Sequence, residues 1–256
     1  MAKQPIYEFY AELRDYEPKI WRRFQVTDNI TMAKLGYIIM SMFEMQAAHL
    51  FRFDVPAEQN FREFIKTQYT DDEYKLFLRA LNDPYIKDRI WHFEIMDEDH
   101  SNLSGNDDYF LKAAESKVKD AVSHSGSCMD FLYDFGDGWN VFLILEKIFI
   151  DEDLPARELP RVLDGEGYGI IEDCGGVPGL KDIAEAFRKK SGKQYKEYCE
   201  WLGQTGLDLS AFDINDANLR VKKIPRIYAE IYEDCIDPTQ ASIDFLERKY
   251  LRKKPL

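Results

Sequence analysis

The sequence lacks three features that would assign the protein to a special class. No apolar run reaches the roughly 18 residues that a membrane-spanning helix needs, and the N-terminal residues MAKQPIYEFY contain no apolar segment typical of a signal peptide. Four cysteines are present without any C-x-x-C pair, which argues against a disulfide framework and against a structural zinc knuckle. We therefore expect a soluble, cytoplasmic protein that does not insert into a membrane.

Basic residues are also fewer than acidic residues. The chain of 256 residues has 34 basic and 47 acidic side chains, and its net charge is −13. A surface of this sign repels polyanions, so general nucleic-acid binding is not expected. The exception is a basic C-terminal run that consists of Arg248, Lys249, Arg252, Lys253 and Lys254. DNA contact through this run is one hypothesis, but we favour a solvated helix end whose cations complement the helix dipole.

Alternating apolar and polar residues predict the strands. The period of two is clearest at 6–14 and 19–26, which turn chemistry at 15–18 joins into a hairpin. Further strands are expected at 49–55, 90–96, 131–135 and 139–150. The glycine-rich segment after Pro160 is expected to be a loop, as is 97–108.

Helical spacing of apolar residues predicts the remaining elements. Helices are expected at 31–44, 58–82, 111–122, 178–190, 195–202, 225–232 and 238–251, and 207–219 is expected to be a polar connection. The methionine-rich stripe of the first helix is interpreted as core. The pattern predicts an α+β fold, in which a mainly antiparallel sheet has helices packed on one side and the C-terminal third is helical.

The segment 131–180 contains most of the residues that could form a metal-binding or acid/base site. It holds eight of the 14 glycines and several carboxylates. The candidate pocket residues are Asp134, Asp137, Trp139, Glu172, Asp173, Cys174 and His49. The four carboxylates lie in two loops that could face one another and bind a hard cation or share a proton. The alternative, which we favour, is turn chemistry, in which Asp137-Gly138 closes a hairpin and Asp173 accepts backbone N–H bonds.

Three further hypotheses each have a simpler alternative. The glycines at 165, 167 and 169 could admit a phosphate, but no Lys-Ser/Thr follows them, so a loop that needs positive φ is favoured. Cys174 could act as a nucleophile with His49 or His124, but acidic neighbours work against a thiolate. Aromatic and cationic residues could form a recognition surface, although packing is favoured. They are Trp21, Arg22, Arg23, Trp139 and Tyr168.

Several motifs in order resemble the plasmid pRiA4b ORF-3-like family, which includes passenger proteins of some insertion elements. They are YEFYAELRDYEPKIWRRFQV, the T-x-x-x-L helix, HLFRF, YDFGDGW with LEKI, PRVLDGEG and EDCGGVPGL. The resemblance covers about 6–213, is interrupted by a region at 57–88 that looks like an insertion, and implies a compact α+β domain. The shift from strands to helices near Pro178 divides the chain into this α+β domain at 1–178 and a helical region at 179–256, which we expect to pack on the same domain. Many relatives carry cysteines at the positions of Val162 and Gly169, so a cysteine-rich metal site is not expected here, and no metal ligand or cofactor is assigned.

The resemblance implies little about activity. We expect a non-enzymatic binding or adaptor protein linked to mobile elements, whose partner is a protein or a small-molecule ligand. The alternative from another class is a metal-dependent hydrolase or nuclease that uses Asp134, Asp137, Glu172 and Asp173.

Overall fold

A single mostly antiparallel sheet forms the centre of the protein. The computed structural model describes residues 4–80, 90–95, 109–248 and 250, and within them eight strands follow the order β5-β4-β3-β6-β7-β1-β2-β8. Among these described strands, β4 and β5 are the only neighbours that run parallel. The strands are β1 (Ile6–Leu13), β2 (Trp21–Thr27), β3 (Phe51–Pro56), β4 (Ile90–Glu94), β5 (Tyr109–Lys112), β6 (Cys128–Tyr133), β7 (Trp139–Phe149) and β8 (Arg161–Glu166).

The sheet confirms the predicted fold class. The expected N-terminal hairpin is the antiparallel pair of β1 and β2, and β1 also pairs with β7 at the middle of the sheet. Period-two alternation is visible in the burial of β3, whose residues Phe51, Phe53 and Val55 are buried while the residues between them are half-buried. The buried face carries the helices, because an apolar sheet face must be covered by other elements.

Helix α1 (Met32–Met42) lies in the core, between the sheet and the C-terminal helix α7 (Ile214–Tyr232). Thr31 caps its N-terminus by accepting a 3.1 Å hydrogen bond from the Lys34 amide. Every residue of α1 except Lys34 is buried, which confirms that its methionines are core residues. Gly36 permits the close approach to β3, because a Cβ there would lie 2.6 Å from the Phe51 ring.

The other helices are α2 (Ala57–Gln68), α3 (Asp71–Ala80), α4 (Val118–Ala121), α5 (Gly176–Lys189), α6 (Lys193–Leu202) and α8 (Gln240–Leu246). The single helix expected at 58–82 is thus two helices, with a break at Tyr69 and Thr70.

Core residues from both sides of the predicted boundary at 178, such as Phe24 and Ile224, belong to one hydrophobic cluster. No helix in the described part of the chain is long and apolar enough to cross a membrane. The loop predicted at 97–108 lies outside the described residues.

Two predictions near the sheet edges are wrong. The segment 111–122 is not one helix: its beginning belongs to β5, which pairs with β4, and only the short α4 is helical. The segment after Pro160 begins with a strand, β8, which pairs with β2. Both strands are short and one contains Gly165, so their intrinsic preference for β structure is weak. Pairing with a neighbouring strand determines their conformation instead.

The start of α7 also differs from the prediction of a helix at 225–232. The helix begins at Ile214, so the expected polar connection at 207–219 contains its first turns, and Pro225 lies inside the helix. Asp213 caps it by accepting hydrogen bonds of 2.8 and 3.1 Å from the amides of Asn215 and Asp216. An aspartate before an apolar residue is a recognised helix start, so the sequence did contain this signal. Packing of Val221, Ile224 and Tyr228 in the core stabilises a helix that Pro225 alone would weaken.

A buried arginine ties the glycine-rich segment (residues 165–169) to the sheet. Arg22 lies on the core face of β2 and is only 1% exposed. Its guanidinium donates hydrogen bonds to five backbone carbonyl oxygens, those of Trp21, Met42, Glu166, Gly167 and Tyr168, at 2.6 to 3.2 Å. The rings of Phe43 and Phe212 lie 5.2 and 4.3 Å from its central carbon. Burial lowers the pKa of Arg22 to about 10.

We predict that Arg22→Lys destabilises the protein by about 3 kcal/mol or more, since a lysine leaves several of these buried carbonyls without a donor. The free energy of unfolding in urea would measure the loss. The neighbouring Arg23→Lys is the control, because Arg23 lies on the opposite face in a partly exposed ion pair with Glu146, and its loss should be below about 1 kcal/mol. Equal losses for both variants would contradict the role assigned to Arg22.

Candidate functional site

The two predicted loops lie against each other. The hairpin tip (residues 134–138) joins β6 to β7, and the acidic turn (residues 172–175) precedes α5. The Gly175 amide donates a hydrogen bond of 3.2 Å to the Asp137 carboxylate. Gly176 approaches so closely that a Cβ would lie 2.4 Å from the Asp137 carbonyl oxygen. The carboxylates of the two loops are therefore brought into one region, as the sequence allowed.

His49 lies between one carboxylate from each loop. Its Nε2 is 3.5 Å from Oδ2 of Asp134 and 3.7 Å from Oδ1 of Asp173. Both aspartates have positive φ angles, 54° and 58°, a region that aspartate tolerates better than most residues. Asp134 also accepts a 3.0 Å hydrogen bond from the Gly136 amide, so it shapes the hairpin tip as well as facing His49.

Glu172 is held by hydrogen bonds from two elements. The Tyr133 hydroxyl and the Gln46 amide both donate to its Oε1, the latter at 2.6 Å. The Ala48 amide donates in turn to the Tyr133 hydroxyl at 3.1 Å. Burial raises the pKa of Glu172 even though these hydrogen bonds oppose the shift, and burial followed by the nearby Glu172 charge raises the pKa of Tyr133. This carboxylate therefore fastens the acidic turn to β6 and to the segment after α1.

Trp139 and Cys174 have mainly structural surroundings. Trp139 is fully buried in the core, and its indole N–H has no hydrogen-bond partner among the described residues. The Cys174 thiol lies 3.5 Å from the carbonyl oxygen of Gly176. Burial, and after it the charge of Asp137, raises the pKa of Cys174 to about 12. A thiol with this pKa is protonated at neutral pH and is a poor nucleophile.

The other hypothetical sites are also accounted for by packing. In the glycine-rich segment, the Gly165 amide donates to the Asp164 carboxylate at 2.9 Å and the Tyr168 amide donates to the carbonyl oxygen of Leu209, so these amides are not free to hold a phosphate. Trp21 and Arg23 lie on the other face of the sheet, where Arg23 bonds to Glu146. In the described part of the chain, no group of three or more His, Cys, Asp and Glu side chains is placed to hold a metal ion.

A cleft that the sequence did not indicate lies beside the acidic turn. This acidic cleft has a volume of about 600 Å³, and its walls are the segments around Glu44 and Tyr168, the acidic turn and helices α6 to α8. Glu172 and Asp173 belong to its lining. Its charged and aromatic lining residues are Glu44, Tyr168, Glu172, Asp173, Trp201, Arg220, Tyr228, Glu247 and Arg248.

An ion-pair network forms part of the lining of the acidic cleft. Arg248 donates to both oxygens of Glu44 at 2.5 and 2.6 Å and to Asp216 at 2.8 Å, and the buried Arg220 lies 3.4 Å from Glu44. Although burial opposes it, bonding to Glu44 and Asp216 raises the pKa of Arg248. The expected solvated helix end is thus wrong for Arg248, whereas 249 and 251–256 lie outside the described residues. Sequence alone had no signal for a pair separated by 204 positions.

We predict that Glu172→Gln changes the pH dependence of stability. A carboxyl whose pKa is raised by folding stabilises the folded state while it is protonated, and this contribution is lost as the pH rises through the raised pKa. Glutamine keeps the acceptor oxygen but has no proton to lose, so near pH 7 the variant should be as stable as the wild type or up to about 1 kcal/mol more stable.

Urea unfolding from acidic to neutral pH would test this, and Glu200→Gln, an exposed site on α6, controls for the change in overall charge. Parallel pH curves for wild type and Glu172→Gln would contradict the prediction.

Comparisons with known proteins agree with this fold. The sequence model of the family described as "Plasmid pRiA4b ORF-3-like protein" matches residues 5–219. A protein of Sinorhizobium fredii (strain NBRC 101917 / NGR234), called uncharacterized protein y4hQ, is 30% identical over 122 residues. The aligned part is 46% of this chain and 60% of that protein, which is less than two thirds of its length.

A solved structure has the same fold. It is the crystal structure of the protein of unknown function MM3350 from Methanosarcina mazei Go1, with a TM-score of 0.62 and 22% sequence identity. The similarity covers 84% of this chain and 98% of that one. At this identity the likeness concerns the fold alone. The family match, in contrast, extends over most of the sequence and over all the motifs that suggested it, and this chain therefore belongs to the plasmid pRiA4b ORF-3-like family.

Proposed function

We propose that the protein is a non-enzymatic binding protein whose acidic cleft accepts a positively charged segment of a partner protein. The observation that carries this proposal is the cleft itself. Its volume of about 600 Å³ lies in the range of ligand sites, and one wall is the acidic turn that the sequence had singled out.

The charges of the cleft favour a cationic ligand. Its lining contains four carboxylates, Glu44, Glu172, Asp173 and Glu247, and the two arginines Arg220 and Arg248. Glu44 pairs with both arginines and Arg248 also bonds to Asp216, so neither the arginines nor Glu44 is available to a ligand. Asp173 is 75% exposed at the rim, where it can meet an incoming ammonium or guanidinium group. The net charge of −13 would attract the same partner at longer range.

An aromatic residue at the rim supports the same ligand class. Trp201 lines the cleft and is 48% exposed, and the Tyr198 ring lies 6.3 Å from it, between centroids. A cation held over an indole face gains about 0.5–1 kcal/mol at an exposed site. Lysines or arginines of the partner can therefore contact Trp201 and Asp173, which line the same cleft.

The surroundings of the candidate catalytic residues favour binding over catalysis. Asp137 and Glu172 accept hydrogen bonds that hold the two loops, and the raised pKa of Cys174 disfavours a thiolate. We place the protein in the cytoplasm, supported by four free cysteines. A link to mobile elements is part of the same proposal, and its support is that the family is described by an open reading frame of a plasmid.

We predict that the protein binds a fluorescent tetralysine peptide and that Asp173→Asn with Trp201→Ala weakens this binding about tenfold, because both contacts to the cation are lost. Fluorescence anisotropy at fixed ionic strength would give the dissociation constants. The matched control is Asp72→Asn with Tyr69→Ala, which removes the same charge and an exposed aromatic ring on the α2–α3 side.

Tetraglutamate should not bind. Absence of tetralysine binding by the wild type, or an equal loss in the control variant, would overturn the assignment of the acidic cleft.

The second candidate is a metal-dependent hydrolase, and one observation favours it, the convergence of Asp134 and Asp173 on His49. We predict that Mg²⁺, Mn²⁺ and Zn²⁺ leave the melting temperature unchanged, since Asp137 and Glu172 are engaged elsewhere. A metal bound to the folded state alone would raise the melting temperature. A rise that Asp134→Asn with Asp173→Asn abolishes would establish the metal site instead.

A further inference from the structure

A second cleft has the opposite charge. This basic cleft has a volume of about 500 Å³ and lies between α1, α7 and the turn at 157–160. Four of its lining residues are cationic, Lys34, Arg157, Lys222 and Arg226, and Glu233 is the one acid among them. In a chain with 47 acidic and 34 basic side chains, such a grouping opposes the overall composition. It is separate from the acidic cleft, with which it shares no lining residue.

The lysines of the basic cleft form no ion pair within the described part of the chain. Lys222 donates instead to the carbonyl oxygen of Arg157 at 2.9 Å. Burial lowers the pKa of Lys222, the charge of Glu158 opposes part of this shift, and a bound anion would oppose it further. The arginines have weak or exposed partners: Arg157 is 3.8 Å from Glu158, and Arg226 bonds to Glu230 one turn along α7.

A buried hydroxyl also belongs to the lining. Tyr37 is 1% exposed, and its ring is fixed by stacking on Tyr232, with centroids 5.7 Å apart. Burial, then the charge of Glu233 and hydrogen bonding to that carboxylate, raise the pKa of Tyr37, so the hydroxyl stays protonated and can donate. An acceptor oxygen of a ligand would take the place of Glu233 as the partner of this hydroxyl.

The rest of the lining is apolar. Leu159, Pro160, Val221 and Pro225 contribute to it, and the last two are buried. A cleft with cations at its rim, an apolar wall and one buried donor suits a ligand with both a charged and an uncharged part. Phosphate oxygens are strong acceptors for lysine and arginine. We propose that the basic cleft binds a phosphorylated small organic molecule, and that Lys34 and Lys222 hold its phosphate.

Isothermal titration with ADP and with inorganic pyrophosphate at constant ionic strength would test the proposal. We expect ADP to bind the wild-type protein, and we expect Lys34→Gln with Lys222→Gln to weaken ADP binding by about tenfold or more, since two charge-assisted contacts are lost. The matched control is Lys119→Gln with Lys196→Gln, two exposed lysines outside the cleft whose loss changes the net charge equally.

Tyr37→Phe tests the buried hydroxyl separately. The variant keeps the ring, so its melting temperature should not fall, while ADP affinity should drop severalfold. The Asp173→Asn, Trp201→Ala protein should bind ADP as the wild type does, so the basic cleft can be tested whatever the outcome for the acidic cleft.

Three results would overturn the proposal. The first is that neither ADP nor pyrophosphate binds, and the second is that the control lysine variant loses as much ADP affinity as Lys34→Gln with Lys222→Gln. The third is that a short DNA duplex binds more tightly than ADP and depends on Lys34 and Lys222 in the same way. Unchanged ADP affinity in Tyr37→Phe would remove the hydroxyl from the site.

Discussion

The surrounding structure depends on the hydrogen bonds that the guanidinium of Arg22 donates to backbone carbonyls. It satisfies five carbonyl oxygens from β2, the end of α1 and the glycine-rich segment at once. Two aromatic rings lie beside it, and the charge of Glu44 acts on it from nearby. Within the described part of the chain its hydrogen bonds go to backbone carbonyls and not to a carboxylate. Since a buried charge is tolerated only when its donors are satisfied, the carbonyls and the arginine require one another. The path of residues 166–168, and with it one wall of the acidic cleft, follows from this contact.

The two clefts are lined by side chains of opposite charge. Helix α7 contributes to both: Arg220 and Tyr228 line the acidic cleft, whereas Lys222 and Arg226 line the basic one. In the acidic cleft the arginines are paired with Glu44 and Asp216, so Asp173 sets the charge of the rim. In the basic cleft neither lysine has an ion-pair partner among the residues that the structure describes, and Lys222 bonds to a backbone carbonyl. A net charge of −13 therefore describes neither surface by itself.

Much of the fold could be predicted because it depends on local patterns. The β1–β2 hairpin, the buried α1 and the hairpin tip all have clear periodicity or turn residues. β5 and β8 could not be predicted, because their pairing with β4 and β2 is set by partners distant in sequence. Trp139 is a pocket candidate in the sequence because it follows the turn Asp137-Gly138. Its position on β7 instead places it in the core, which local sequence does not reveal.

The sequence by itself determined the family, the mainly antiparallel α+β fold and the two acidic loops, since motif order, periodicity and turn chemistry are properties of neighbouring residues. Only the tertiary structure decided what the loops face. Cys174 and Glu172 acquire raised pKa values through burial, and Arg248 becomes an ion-pair partner of Glu44. Desolvation and charge pairing depend on which segments meet in space. The acidic cleft and the basic cleft exist for that reason, because each is bounded by elements far apart in the chain.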